Sequence, residues 1–511
     1  MLPKSLFLTV FLFLPPTYGL QPERELSFTS HLQLDPQVPL AAQDPEKLSN
    51  VRFSPSSTYP LGSSSANLKT RPTSVYRPRS LDVLHRTRLR SLQHAESELD
   101  QVLWDLIEVE GPDVEDLHTL AQLARMSGNA YALPGQKNWY DVDQSWNTSF
   151  PFGWEDGEGF RGHVFKSSTN STIVLSIKGT TLSGPTSKLD KFNDNLLFSC
   201  CCARVDFSWV FRTVCDCYSG NYRCDNQCLT DALIQDSLFY SVGVKLIDDL
   251  LKIYPGSNVW LVGHSLGGAL ASLLGATYGL PAVAFEAPGE RLAASRLHLP
   301  LPPPISSPPL PVPVHPSSKF YPPRFGFHLP HFNFPFPARP SKPSEPPIPI
   351  PTLPSPYPPP QRPRIATTHV YHNADPIPQG VCTGFGSPCA QAGFALETRC
   401  HLGQSIVFDT VNKLGWGVDV RKHPIREVVT KVLEGDVWWG DDGDGEEVED
   451  GEEIFKWGKK GKGKKDEEDE EKERKRREGK KNIPRTITEE GCIDCYKWEF
   501  GDFKDDLTGL K

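Results

Sequence analysis

An α/β architecture on a mainly parallel central sheet is the fold class this sequence predicts, and three observations predict it. Short apolar runs recur with turn residues at both ends, as in strands buried on both faces. Segments of helical periodicity separate them, which makes the connections crossovers rather than hairpins. One strand-to-helix junction carries Gly263-His264-Ser265-Leu266-Gly267, a spacing suited to a sharp turn between the two elements.

The elements follow in order. The chain opens with Met-Leu-Pro-Lys, an apolar run Leu6–Leu14 interrupted only by Thr9, and Pro15-Pro16. One positive charge before a short apolar stretch is a secretory signal. As a helix that stretch rises only about 15 Å, half a bilayer, so length alone favours a cleaved signal peptide over a retained anchor for residues 1–20. Residues 21–100 are polar and turn-rich, and a lead without regular elements is expected there. From Val102 to Arg125 the pattern turns helical, with Leu103, Leu106 and Ile107, then Leu117, Leu120 and Leu123, divided by Gly111-Pro112. His163-Val-Phe165 and Thr172–Lys178 are strand candidates, the second ending at Gly179. A long helix is expected through Leu229, Leu233, Leu238, Val242, Leu246 and Leu250, closed by Pro255-Gly256. Val259–Val262 is a buried strand and Ala269–Ala276 a helix. Ala282–Phe285, Thr368–Tyr371, Ile406–Val411 and Trp416–Val420 are further strand candidates.

Composition trims the 511 residues to one large core. Of 49 prolines, 26 fall between Pro300 and Pro363. Glu434–Lys481 holds 19 acidic and 13 basic residues and supplies most of the net charge of −9. Neither stretch buries enough apolar surface to offset its ordering entropy. The α/β domain is therefore placed at 101–435 with a proline-rich insertion at 299–364, followed by a charged linker at 436–482 and a cysteine-containing segment at 483–511. The insertion reads as an exposed loop, part polyproline II; a PxxP ligand or a misread intron are the alternatives. No repeat and no second long apolar run exists, which excludes collagen, coiled coil and multi-span membrane proteins. The acidic balance excludes a basic nucleic-acid binder.

Twelve cysteines, seven of them between Cys200 and Cys228, suit an oxidising lumen. In a cytosolic chain Cys215-Asp-Cys217 and Cys224-x-x-x-Cys228 would suggest zinc; behind a secretory signal they read as disulfides of unspecified pairing. Asn147-Thr-Ser and Asn170-Ser-Thr are glycosylation sequons.

The motif Gly263–Gly267 places a serine on an elbow where glycines on either side avoid Cβ clashes and the helix N-terminus favours developing negative charge. An activated serine needs a base, and the base an orienting acid. In α/β hydrolases the chain order is Ser, Asp, His, which leaves Asp375, Asp409 or Asp419 and His401 or His423 after Ser265. Asp375 follows the strand Thr368–Tyr371, where catalytic groups collect, and is the favoured acid; Asp409 reads as structural and Asp419 stays open. His423 is the favoured base, His401 a loop residue beside Cys400, and His264 packing. The Leu266 N–H is one expected oxyanion donor, and Thr180, after the strand end Lys178-Gly179, supplies N–H and hydroxyl. Thr181–Phe198 is the lid candidate. No metal and no cofactor is expected.

Six pieces carry a resemblance: Ile177-Lys-Gly-Thr180, Val262-Gly-His-Ser-Leu-Gly-Gly268, Phe285-Glu-Ala-Pro-Gly-Glu290, Tyr371-His-Asn-Ala-Asp-Pro-Ile-Pro378, Cys400-His-Leu-Gly403 and His423-x-Ile425. With them the chain resembles class 3 lipases of the α/β-hydrolase fold, in particular the fungal vacuolar lipases that break down autophagic bodies. The resemblance implies a lipase using Ser265, Asp375 and His423. Its substrates would be membrane phospholipids and neutral lipids of vesicles, with phosphoinositide binding. It also implies a glycosylated type II single-pass protein, carried through endosomal multivesicular bodies to the vacuole, and so a retained signal-anchor. An esterase for soluble or cell-wall esters and a non-catalytic lumenal binding protein are the rival readings.

Overall fold

A computed structural model describes residues 27–30, 49–52, 68–94, 102–143, 148–154, 159–168, 171–203, 214–236, 238–302, 365–383, 388–440, 483–489 and 491–503. The N-terminal segment 1–20, the sequon asparagines Asn147 and Asn170, nearly all of the proline tract and the charged stretch 441–482 lie outside the described residues. The chain divides into one unit of Met1–Pro302 with Pro363–Lys511 and another of Pro303–Arg362.

The strands are β1 (Ser27–Ser30), β2 (Ser49–Arg52), β3 (Thr70–Pro78), β4 (Trp104–Pro112), β5 (Thr148–Phe152), β6 (Gly162–Lys166), β7 (Thr172–Ile177), β8 (Arg223–Asp225), β9 (Asn258–His264), β10 (Ala282–Phe285), β11 (Thr367–His372), β12 (Gln404–Phe408) and β13 (Glu499–Gly501). The helices are α1 (Leu81–His94), α2 (Leu117–Asn129), α3 (Ser187–Phe198), α4 (Asn226–Asp236), α5 (Leu238–Ile253), α6 (Leu266–Tyr278), α7 (Arg291–Arg296), α8 (Pro388–Gln391), α9 (Thr410–Leu414) and α10 (Ile425–Glu427), the last continuing as a wider π-turn over Val428–Leu433.

The central sheet runs in the order β12-β11-β10-β9-β7-β6-β5. Pairings from β7 to β12 are parallel, and β5, β6 and β7 pair antiparallel. Side chains alternate across it with period two. Ile173, Leu175, Leu261, Ala282 and Ala284 face one core, with residues of α3, α5 and α6. Val174, Trp260, Val262, Val283, Phe285, Val370 and Ile406 face the other, with residues of α2 and the π-turn. Burial on both faces is what the unbroken apolar runs required. Register brings the carboxyl ends together: Ile177 lies opposite Gly263, and Phe285 opposite His264 and Val370.

Three expectations need correction. Trp104–Pro112 is a strand, not a helix, and its edge pairing with β3 leaves Leu106 61% exposed. The alternation Ile107-Glu-Val109-Glu, half-buried and exposed in turn, carried that signal. Within the lead, β3 and α1 are regular elements that bury Val75 and Leu84; two prolines in β3 masked it, and an edge hairpin tolerates them. The helix expected after the cysteines is found as α4 and α5, on either side of Ser237, which lies outside the described residues. Trp416–Val420 is no strand: it leaves left-handed Gly415 and ends in a 3-10 turn, with Val418 58% exposed.

Every cysteine is paired. Cys201–Cys224, Cys202–Cys215, Cys217–Cys228 and Cys382–Cys389 are local, whereas Cys200–Cys495 and Cys400–Cys492 fasten the C-terminal segment to the core. Cys400–Cys492 spans a sequence separation of 92, a loop closure worth about 4–5 kcal/mol in the chain-entropy account. The segment then lays β13 parallel to β8. Among the described residues no helix is long and apolar enough to cross a membrane.

Candidate active site

β9 ends at His264, α6 begins at Leu266, and Ser265 alone makes the corner, at φ 59° and ψ −131°. A non-glycine residue there costs about 1–3 kcal/mol and persists only where its surroundings fix it. They do: the Ser265 N–H donates to the Phe285 carbonyl at 2.9 Å, and the Ser265 carbonyl accepts from Gly268 and Ala269. Gly263 and Gly267 make the corner sterically feasible. A Cβ on Gly267 would sit 2.2 Å from the Ile177 carbonyl oxygen, and one on Gly263 would sit 2.3 Å from the Gly267 carbonyl.

The hydroxyl so presented meets a base. Ser265 Oγ donates to His423 Nε2 at 2.9 Å, and His423 Nδ1 donates to Asp375 Oδ2 at 2.6 Å. Asp375 is fully buried on the loop after β11, and its Oδ1 accepts the Ile377 N–H at 3.0 Å. Burial opposes its charge, but His423 and the hydrogen bonds outweigh that and hold the carboxyl below the ordinary carboxylate range. The other candidates are occupied elsewhere. Asp409 caps α9 and accepts from Asn373, Asp419 pairs with Arg421, and His401 is buried against the Pro378 carbonyl.

His264 does more than pack. Its Nε2–H donates to the His423 carbonyl at 2.9 Å, and its Nδ1 accepts from the Tyr131 hydroxyl at 2.9 Å. Burial, with His423 adding to it, pushes its pKa down to about 3, so it is a neutral positioning group for the base.

Opposite the hydroxyl, a Cβ on Gly179 would sit 3.1 Å from Ser265 Cβ, so the loop after β7 closes onto the nucleophile. Leu266 opens α6 directly behind Ser265. Thr180 differs from expectation in one respect: its hydroxyl hydrogen-bonds Asp194 of α3. The hydroxyl therefore anchors the loop rather than standing free for an oxyanion. Burial pushes Asp194 up to about 8, against the Thr180 bond that favours its charge.

The pattern of the family described as "Lipase (class 3)" matches residues 176–280, and that of the "Alpha/beta hydrolase family" matches residues 229–410. A curated protein named "Putative lipase ATG15" from Cryptococcus neoformans var. neoformans serotype D (strain JEC21) is 42% identical over 431 residues, 78% of this chain and 70% of the relative. The chain belongs to the ATG15 lipase family. A relative of the same name from Mycosarcoma maydis is 39% identical over 80% of this chain and 70% of its own length. One from Saccharomyces cerevisiae (strain S288c) is 41% identical over 79% of this chain and 60% of its own.

In this ATG15-family lipase the expected lid is not a free flap. Within Thr181–Phe198, helix α3 buries Asp190 and Asn193–Phe198. The Phe198 carbonyl accepts from Glu397 and Thr398, and buried Lys178 pairs with Asp190 at 2.6 Å. Exposure there is confined to Leu182–Pro185 and Lys188, with Leu182 at 69%. The apolar Leu196-Leu-Phe198 read as lid surface is core.

Glu290, His369 and His401 offer ligand atoms within 4.8 Å of one another. The Glu290 Oε1 already accepts from Ser272 at 2.5 Å, Leu402 N–H at 3.1 Å and His369 Nε2 at 3.0 Å, so the cluster is a hydrogen-bonded strut. His401 Nδ1 lies 3.5 Å from Glu290 Oε2. Despite burial, Glu290 raises His401; despite burial, the two histidines depress Glu290. The signs fix a pH window. His401 stabilises fully below its unfolded pKa of about 6.5 and loses that as pH rises through its raised folded value. Glu290 stabilises fully above about 4.5 and loses that as pH falls. The stability gap between wild type and H401Q is therefore expected to be wider at pH 5.5 than at pH 8.5. Equal denaturant midpoint gaps at the two pH values would refute this.

Proposed function

We propose that this ATG15-family lipase is a serine hydrolase that cleaves ester bonds of membrane phospholipids and neutral lipids through an acyl-enzyme. The observation that carries the reading is the hydrogen-bonded line Ser265–His423–Asp375 ending on a strained corner at a helix N-terminus. Ser265 Oγ attacks the ester carbonyl carbon while His423 Nε2 takes its proton, and Asp375 holds the imidazolium. The oxyanion forms against the Leu266 N–H and the backbone of the Gly179-Thr180 loop, in the field of α6. His423 then protonates the leaving alcohol. Water, deprotonated by His423, attacks the acyl carbon, and the fatty acid leaves with Ser265 regenerated. No step calls for a metal or a cofactor.

In the cell we assign it to lysis of autophagic bodies and of intravacuolar vesicles. It would reach them as a glycosylated type II protein anchored by residues 1–20, with glycans on Asn147 and Asn170 and phosphoinositides among its lipids. Six disulfides suit such a lumenal route.

The test is labelling of the purified protein by a fluorophosphonate, with the adduct mapped to Ser265, followed by a lipid panel at acidic and neutral pH. Phospholipid liposomes hydrolysed in preference to a soluble short-chain ester support the lipase; the reverse preference supports the soluble-ester esterase. Absence of labelling with absence of hydrolysis leaves the non-catalytic binding protein.

Contact with a lipid surface has its own expectation. Leu182, 69% exposed, and Val418, 58% exposed, flank Thr180 and His423 in the chain. The double change L182S/V418S should lower the liposome rate about three- to tenfold, removing roughly 1 kcal/mol of apolar contact, while the soluble-ester rate holds. Equal loss on both substrates would remove the surface role.

A further inference from the structure

Glu286 stands immediately beyond β10, fully buried, with φ 45°, a left-handed setting that a glutamate adopts only at a cost. Its Oε1 accepts the His372 N–H at 3.1 Å. Its Oε2 is buried with no hydrogen-bond partner, and its carboxyl and that of Asp375, both fully buried, act on each other electrostatically. Two carboxylates facing each other in a buried site repel; one proton between them turns that contact into a hydrogen bond. Asp375 is the member whose charge is fixed, by His423 Nδ1–H and the Ile377 N–H. Glu286 therefore carries the proton, on the oxygen that otherwise has no partner.

Among the described residues the surrounding groups leave no counter-ion for an ionised Glu286. His372 Nε2 lies 3.8 Å away, but it meets the Lys422 carbonyl and burial lowers its pKa, which keeps it neutral. Lys422 acts on His372. Tyr371 is raised by burial and stays a neutral phenol. His423 is spent on Asp375, and His264, on the far side of His423, is neutral.

We propose that Glu286 is a positioning residue for the catalytic acid: it stays protonated, donates to the Asp375 carboxylate, and so fixes that carboxylate and moderates its basicity toward His423. The proposal rests on the serine-hydrolase reading above. Burial first, then the Asp375 charge, raises the Glu286 carboxyl well above the ordinary range, in line with the geometry. Sharing the Asp375 charge weakens its hold on the imidazolium that forms during the reaction.

The test compares full-length wild type, E286Q and E286L on a soluble chromogenic ester, with S265A as blank, and reads the acid limb of kcat/KM against pH. A glutamine supplies what a neutral acid supplies, one acceptor for His372 N–H and one donor for Asp375. The acid limb of E286Q should stay within about 0.3 unit of wild type. E286L removes the donor, and its limb should move up by about half a unit to one unit, with about a three- to tenfold loss of kcat/KM on that limb. An anionic Glu286 demands the opposite sign, because either substitution would delete a negative charge near the base and move the limb down. A downward shift in either variant overturns the proposal, as does an E286L limb that stays in place. If E286L does not fold by circular dichroism, E286Q decides alone: a steady limb supports the neutral acid and a falling one refutes it. Wild type no more active than S265A strikes the hydrolase reading and the proposal with it; failure of the proposal alone leaves wild-type activity intact.

Discussion

Ser265→Ala is expected to lower kcat/KM for ester hydrolysis by at least about 10⁴-fold, with secretion and melting behaviour close to wild type. The size follows from the hydrogen-bonded line at the corner between β9 and α6. Without Oγ there is no covalent step to split the reaction, and what survives is binding and the oxyanion donors. His423→Ala should cost a similar factor, because among the described residues the hydroxyl it meets at 2.9 Å has no other base in contact; His264, beside it in sequence, turns its ring nitrogens to Tyr131 and the His423 carbonyl. Groups acting as a unit do not add, so the double variant S265A/H423A should be no slower than S265A. Asp375→Asn should cost about 10⁴-fold by favouring the wrong imidazole tautomer. Single-turnover rates and burst amplitudes with a chromogenic ester measure all four. A double variant slower than S265A by the full factor of the H423A loss would show that the residues act independently.

How much of this was legible in the sequence depends on the range over which each signal acts. The elbow is local: glycine, serine and glycine within five residues, with an apolar strand before and small helix formers after, and the structure puts φ 59° at Ser265. Chain order then reduced the partners to a few, and Asp375 with His423 are the ones the structure brings to the hydroxyl. What escaped depends on contacts between distant segments. Leu106 and Ile107 look like a helical stripe until β3 supplies a strand partner. Leu196-Leu-Phe198 looks like a lipid-facing surface until α3 is seated in the core. His264 and Glu286 carry no spacing signal, since their roles exist only where β9, β10 and β11 end side by side. The cysteine-bearing C-terminus was separable from the charged tract, but its bridges to Cys200 and Cys400 needed the fold.

Lys178→Met should cost about 3–5 kcal/mol of stability, the range for leaving a buried charge without its partner. Lys178 and Asp190 are both inaccessible to solvent. The ammonium donates to Asp190 Oδ2 at 2.6 Å, the Gly179 carbonyl at 2.8 Å and the Thr181 hydroxyl at 3.2 Å, which uses all three of its hydrogens. Asp190 Oδ2 also accepts the Thr181 N–H at 2.9 Å and the Thr186 hydroxyl at 3.1 Å. Burial lowers the Lys178 pKa while Asp190 pulls it back, so the pair is held against a desolvation cost that only mutual contact offsets. Arg161 acts on the same carboxylate and tempers the loss without replacing those bonds. The double variant K178M/D190L removes both charges together and should recover part of the stability, the Thr181 N–H and Thr186 hydroxyl still losing the acceptor that Asp190 gave them. It should not recover the rate. The pair ties the Gly179-Thr180 loop to α3, and a loop free to move by an ångström no longer places its donors at the oxyanion, a loss of about 10²-fold. Urea midpoints beside kcat/KM for the two singles and the double separate stability from alignment. A K178M protein as stable as wild type, or a double variant restored in both stability and rate, would make the pair a passenger in the core rather than the support of the oxyanion loop.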